Sequence, residues 1–156
     1  MYFSGSELLA SRGILQYEIS NFARAGYESR HNLKYWRCED YLGLGPAAYS
    51  CMNGVRFGNS RDVDAYLSGK EILSESETLS KKDLKNEYVM LGLRLTEGIS
   101  RRVFRERFGE ELDAFLGSRL SPYLGACLAR ETAEGYALTR EGMYLSNAIL
   151  SDVLDL

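Results

Sequence analysis

The chain is expected to be an α+β protein, with a helix–strand–hairpin piece at the front and a mostly helical, winged-helix-like domain behind it. Three observations lead there. The opening residues step from a helix pattern through Gly13 to a β-prone run. Asn53-Gly54 stands between two extended runs and is the strongest short hairpin signal in the chain. After residue 79, apolar residues recur at helical spacing behind capping residues, and one short ribbon precedes the final helix.

In chain order, residues 6–12 read as a helix with Ser6 as N-cap and Gly13 as its stop. Residues 14–19 alternate loosely, as a strand does. A helix, a glycine and a strand make the αβ step of a barrel or layered α/β fold. Ser20 and Asn21 then fall at the strand's C-terminal end, the rim that carries ligand sites in barrels. A lone parallel strand has unpaired edges, so a homodimer is a candidate assembly. Residues 23–30 read as a loop leading to His31. Residues 41–44 and 47–52 form one extended stretch interrupted at Gly45-Pro46, and an antiparallel hairpin is expected over 47–58. Residues 62–68 read as a short helix with Val63, Tyr66 and Leu67 on its apolar face. Residues 69–78, rich in Ser and Glu, read as a linker, which divides the chain into 1–75 and 76–156.

In the second unit, Ser80-Lys81-Lys82-Asp83 is a capping box in its looser form. Leu84, Tyr88, Leu91 and Leu95 follow at helical spacing, with an end expected near Gly98. Ser100 caps a helix whose stripe is Val103, Phe104 and Phe108, and Gly109 stops it. Pro122 would kink one long helix, so residues 112–119 and 121–129 read as two. Residues 132–135 are a turn and 136–138 a short strand. Thr139 caps a last helix over 140–154, with Leu145, Ile149, Leu150 and Val153 facing inward.

Composition narrows the function classes. At 156 residues the chain suits one domain or two small ones, and 45% hydrophobic with 26% charged residues is an ordinary globular balance. A net charge of −3 gives no reason to expect nucleic-acid binding. Arg101, Arg102, Arg105 and Arg107 interleave with Glu106, Glu110 and Glu111, the pattern of a solvated face. Three cysteines do not make a disulfide framework, so a reducing cytoplasm is the expected location. No apolar run approaches the ~18 residues of a membrane span. Residues 1–5 lack the basic region and apolar core of a signal peptide. No Ser-His-Asp triad is identifiable.

Residues 31–50 concentrate the rare residue types: the only histidine, the only tryptophan and one of two prolines. Histidine is a common iron and zinc ligand. On a helix, His31 and Tyr35 share a face, and Asn32 and Trp36 share the adjacent one. An imidazole beside two large aromatics suits a flat, apolar, metal-bearing ligand such as heme. The competing reading is a hydrogen-bonded structural histidine. Zinc fits poorly, because His31 and Cys38 do not supply four closely spaced ligands. Gly43-Leu44-Gly45-Pro46 lacks the third glycine of a dinucleotide fingerprint and the lysine of a phosphate loop, and reads as a tight turn.

Tyr17-Glu18-Ile19-Ser20-Asn21-Phe22-Ala23 resembles the strand segment of the oxygen-independent coproporphyrinogen III oxidase-like family of radical S-adenosylmethionine (SAM) proteins. His31-Asn32-x-x-Tyr35-Trp36 resembles the HNxxYW motif of its HemW-type heme chaperone branch. Asp40-Tyr41-Leu42-Gly43-Leu44-Gly45-Pro46 resembles the run that follows. Leu91-Gly92-Leu93-Arg94-Leu95, Glu97-Gly98, Phe108-Gly109 and the stretch from Leu138-Thr139 through Gly142 to Leu145-Ser146-Asn147 resemble the family's C-terminal domain.

The resemblance implies that residues 1–75 are the C-terminal edge of a partial (β/α) barrel and that 76–156 are the helical C-terminal domain. It implies His31 as axial ligand to heme iron, Tyr35 and Trp36 as lining, and Asn32 as a hydrogen-bonding orienter. Heme or porphyrin is then the ligand, and the N-terminal barrel or a heme-accepting protein the partner. The alternative is the C-terminal region of an oxidase of porphyrin biosynthesis, closing the substrate cleft. A third reading is a structural cap or protein-interaction module. Two departures stand out. Ala47-Ala48-Tyr49-Ser50 replaces the family's Gly-Ala-His-Ser, so a second histidine is absent. The CxxxCxxC motif that holds the family's [4Fe–4S] cluster and its SAM is also absent, since Cys38, Cys51 and Cys127 are too widely spaced. Radical SAM chemistry is therefore not expected of this chain by itself.

Overall fold

The structure, a computed structural model, describes residues 2–69 and 72–154. Helix α1 (Tyr2–Ala10) starts earlier than the Ser6 cap implied. Ser6 lies inside it, with its hydroxyl donating to the Phe3 carbonyl. Gly13 follows in the left-handed region at φ +73°, as the expected stop requires.

The strand expected over 14–19 is shorter and paired differently. Strand β1 (Leu15–Gln16) pairs antiparallel with β2 (Phe22–Ala23). Glu18 then bridges Leu95 of the second unit, and the Thr96 amide donates to the Tyr17 carbonyl. No closed barrel forms among the described residues. The opening ribbon is stitched to the second unit instead.

Helix α2 (Arg30–Trp36) carries the histidine window. The expected hairpin is present as β3 (Tyr49–Met52) and β4 (Val55–Asn59). Asn53 and Gly54 both adopt positive φ at its tip, the geometry an Asn-Gly turn favours. The Gly43–Pro46 turn packs against this hairpin. A Cβ on Gly43 would lie 2.2 Å from the Tyr49 carbonyl oxygen, so only glycine fits.

Helix α3 (Val63–Leu67) is capped by Asp62, which accepts from the Ala65 amide at 3.0 Å. Its apolar face is not buried, since Val63 is 54% and Leu67 74% exposed. The expected linker is corrected over Leu73–Thr78, which is strand β5, antiparallel to β4 in a sheet of order β3-β4-β5. Residues 70 and 71 of that stretch lie outside the described residues. Alternating Ser and Glu on an exposed edge strand has a linker's composition, and only the backbone ladder to β4 distinguishes the two.

Helix α4 (Lys81–Gly92) opens on the expected capping box, with Ser80 and Asp83 bonded reciprocally. It ends at Gly92, six residues before the expected stop at Gly98. A Cβ on Gly92 would lie 2.4 Å from Ile99 Cγ2, because the chain turns back there to lay β6 (Ile99–Ser100) against the helix. Helix α5 (Arg101–Phe108) has the expected Ser100 cap and left-handed Gly109.

Helix α6 (Leu112–Leu116) passes through a 3-10 turn (Gly117–Leu120) into α7 (Ser121–Gly125), where Pro122 sits harmlessly in the first turn. The second helix stops short of 129 because Ala129 enters β7 (Ala129–Glu131). That strand pairs with β8 (Gly135–Leu138) in a sheet of order β6-β8-β7. The last helix is broken into α8 (Arg140–Tyr144) and α9 (Ser146–Val153) at Leu145. The core gathers Val89, Leu93, Ile99, Phe104, Leu112, Leu116, Ile149 and Leu150 from these elements. Each such side chain contributes about 1.5–3 kcal/mol on burial. Helices packed on a small antiparallel sheet make this an α+β domain.

Candidate functional site

Helix α2 is short, and contacts at both ends hold it. Ser29 caps it, accepting from the Asn32 amide at 3.3 Å, while the Ser29 amide donates to the Tyr17 hydroxyl. At the other end, the Arg37 guanidinium donates to Glu97 Oε1 at 3.1 Å. Arg107 reaches back to the Arg37 carbonyl at 2.9 Å, and Cys38 packs against the core of the second unit. The window is thus clamped between the opening ribbon and the C-terminal domain.

His31 and Tyr35 share a face, as helical spacing predicts. Tyr35 Oη lies 3.1 Å from His31 Nε2, and the rings stand edge-on with centroids 5.0 Å apart. Tyr35 also meets Tyr41 edge-to-face at 4.7 Å. Both His31 and Tyr35 are exposed. Asn32 is half-buried beside the cap.

Trp36 points elsewhere. It lines a cleft of about 240 Å³ with Tyr88, Leu95, Ile99 and Val103. Tyr35 lines a different cleft, of about 260 Å³, with Cys38, Tyr41, Cys51, Arg56 and Glu87. Each is slightly smaller than the ~300 Å³ at which small-molecule sites begin. The structure therefore brings His31 and Tyr35 together and sets Trp36 on the other side of the helix.

Burial pushes the Cys38 thiol up to about 11 and raises that of Cys51, with the Arg107 and Arg56 cations opposing the shift at the two thiols respectively. Both thiols are protonated at neutral pH and are poor nucleophiles there. The Arg56–Glu87 ion pair closes the same cleft. Sequence reading gave no site role to Arg56 or Glu87, and it met Tyr41 and Glu97 only within family-like runs. The ion pairs Arg56–Glu87 and Arg37–Glu97 span tens of residues, and no local pattern marks them. Tyr49, where the family's histidine is expected, donates its hydroxyl to the Glu75 carboxylate on the β3-β4-β5 sheet.

The donor chemistry of the α2 face fits an iron porphyrin, with one imidazole nitrogen, the Tyr35 ring beside it and Tyr41 packed on that ring. A cluster fits badly. Among the described residues no group of three or more His, Cys, Asp or Glu side chains is arranged for a metal ion, and the three cysteines are free.

Residues 79–145 match the model of the HemN C-terminal domain. The chain carries a HemN C-terminal domain. Its curated relatives extend the likeness to the α2 window. The heme chaperone HemW of Bacillus subtilis (strain 168) is 35% identical across 99% of this chain and 42% of the relative. The HemW of Lactococcus lactis is 31% identical across 99% of this chain and 41% of its own length. A mitochondrial radical S-adenosyl methionine domain-containing protein 1 of Danio rerio is 31% identical across 99% and 38%. The chain therefore spans about two fifths of the relatives it matches.

Among solved structures, coproporphyrinogen III oxidase (HemN) of Escherichia coli, described as a radical SAM enzyme, superposes with a TM-score of 0.72 over 98% of this chain and 40% of that one. At 15% identity this is a likeness of fold. The HemN C-terminal domain here includes the whole β6-β8-β7 sheet, and the α2 window lies ahead of it. Among the described residues no helix is long and apolar enough to cross a membrane.

Proposed function

We propose that this chain is the heme-handling portion of a heme chaperone-like protein, with His31 as axial ligand to the porphyrin iron. The observation that carries the reading is the position of the chain's one imidazole, on an exposed helix face beside Tyr35, whose ring in turn packs on Tyr41. Relatives named heme chaperones, aligned over 99% of the chain, support it.

In this reading His31 would hold the iron through a ring nitrogen. Tyr35 forms an aromatic wall beside it. Trp36 and the clamp at Arg37–Glu97 fix the helix against the C-terminal domain, and Asn32 holds the first turn at its cap. A face this open suits transfer, since a donor that must release heme gains nothing from enclosing it. Bound heme would be the cargo, an iron porphyrin held at the α2 face for a receiving protein. The partners are iron porphyrin, the barrel portion of the longer protein and a heme acceptor, in the cytoplasm. A homodimer is a further assembly within this proposal. A division of the chain near the expected 75/76, moved to 78/79 so that β5 stays whole, belongs to the same proposal.

Titration with ferric heme, followed by absorbance beside a His31→Ala variant, tests the reading. A saturable Soret change that the variant abolishes is expected. An unchanged titration in the variant would remove His31 as ligand.

A second reading, a region that closes the substrate cleft of an oxidase, draws on the likeness of fold to HemN. It predicts SAM cleavage and porphyrinogen turnover by the full-length protein, with no dependence on heme loading.

A further inference from the structure

We propose that Tyr35 is a gate on His31, a proposal that rests on the reading of His31 as the iron ligand. Tyr35 Oη lies 3.1 Å from His31 Nε2. Imidazole has two neutral tautomers. With the proton on Nδ1, the phenol donates into the Nε2 lone pair. With the proton on Nε2, the ring donates to the phenol oxygen. Either way the in-plane position on Nε2 is taken. Metal ligation uses that same position, so iron and Tyr35 compete for it.

The phenol is not free to drift aside. Its ring stands at 89° to the imidazole and also packs against Tyr41 at 71°. Tyr41 is pinned across the start of the hairpin, exchanging backbone hydrogen bonds of 2.9 and 3.0 Å with Cys51. Opening Nε2 means turning the Tyr35 hydroxyl away and disturbing the Tyr41 packing. A flat porphyrin face would give the displaced ring a new stacking surface. The closed gate holds Nε2 of that imidazole in a hydrogen bond instead of leaving it open to a metal ion, and the contact to Tyr41 ties its opening to the β3–β4 hairpin.

Tyr35→Phe keeps the ring packing and removes the competing hydroxyl. One neutral hydrogen bond of about 0.5–1.5 kcal/mol converts to roughly 2- to 12-fold in affinity. Ferric heme should therefore bind Tyr35→Phe about 2- to 12-fold more tightly. Tyr41→Ala should shift affinity the same way by less, and His31→Ala/Tyr35→Phe should show no gain.

A second readout needs no heme. The chain holds one histidine, so its modification by diethyl pyrocarbonate, followed by ultraviolet absorbance, reports that imidazole alone. Its rate should rise several-fold in Tyr35→Phe. If His31→Ala abolishes heme binding while Tyr35→Phe changes neither affinity nor modification rate, the gate is overturned and the ligand reading stands. Weaker binding by Tyr35→Phe would overturn it too, because the hydroxyl would then support the bound state. If His31→Ala binds heme as the native chain does, the ligand reading fails and the gate falls with it.

Discussion

Residues 79–154 and residues 2–78 are held together by different physics. Among the described residues, every buried apolar side chain lies at position 79 or later, from Leu79 to Leu154. Phe104 alone stacks against Tyr88, Phe108 and Phe115. The earlier region buries Glu18, Ser50, Asn59 and Ser60 instead. Ser50 Oγ accepts from the Gly43 amide, Asn59 donates to the Gly45 carbonyl, and the Tyr66 hydroxyl accepts from the Gly45 amide. Leu42, Leu44, Leu67 and Leu73 remain exposed. A polar network of this kind fixes geometry but contributes little net stability, since each bond replaces one to water. The first region therefore leans on the second through Glu18, Tyr17, Arg37 and Cys38. Even that seam is imperfect, because Glu18 Oε1 is buried without a partner among the described residues.

The largest test of this contrast separates the halves. Residues 79–156 produced alone should unfold in one cooperative thermal transition followed by circular dichroism, and residues 1–78 alone should show none. A cooperative melt of the first piece would end the comparison. Next in size is a pair of substitutions. Phe104→Ala, at a fully buried ring, should cost about 3–5 kcal/mol in denaturant unfolding. Leu44→Ala, at a side chain 82% exposed, should stay within about 0.5 kcal/mol. Equal effects would mean that the two regions share one core.

The smallest effect sharpens the boundary itself. Ser80→Ala should cost about 1 kcal/mol by removing the cap of α4. Hydrogen bonds from the Ser80 hydroxyl and amide hold the Asp83 carboxyl below its usual range. Its contribution is thus complete above pH ~4, the unfolded value, and is lost as pH falls through the lower folded value. The native chain should lose this increment on acidification. Ser80→Ala should lose less of it, which matched unfolding curves from pH 6 down to 2 would reveal.

Reading the residues worked where a local rule was sufficient. The Asn53-Gly54 hairpin, the Ser80–Asp83 capping box, the Ser100 and Gly109 ends of α5 and the shared face of His31 and Tyr35 all follow from neighbours within a few positions. It failed where a distant partner decided the outcome. Leu73–Thr78 has a linker's composition and becomes a strand only because β4 offers an open edge. Ile99 and Ala129 become strand residues only because β8 lies beside them. The helix after Ser80 stops at Gly92 because Ile99 folds back onto it.

By itself, then, the sequence determined the capped helices, the hairpin, the family resemblance and the chain's single imidazole. These are set by covalent neighbours and by residue chemistry. Only the tertiary structure decided that Trp36 packs into a cleft with Tyr88 and Ile99, that Tyr35 Oη sits 3.1 Å from His31 Nε2, and that the buried apolar core of the described residues begins at residue 79. Each depends on which surfaces meet across tens of residues, and side-chain packing, rather than local spacing, determines that.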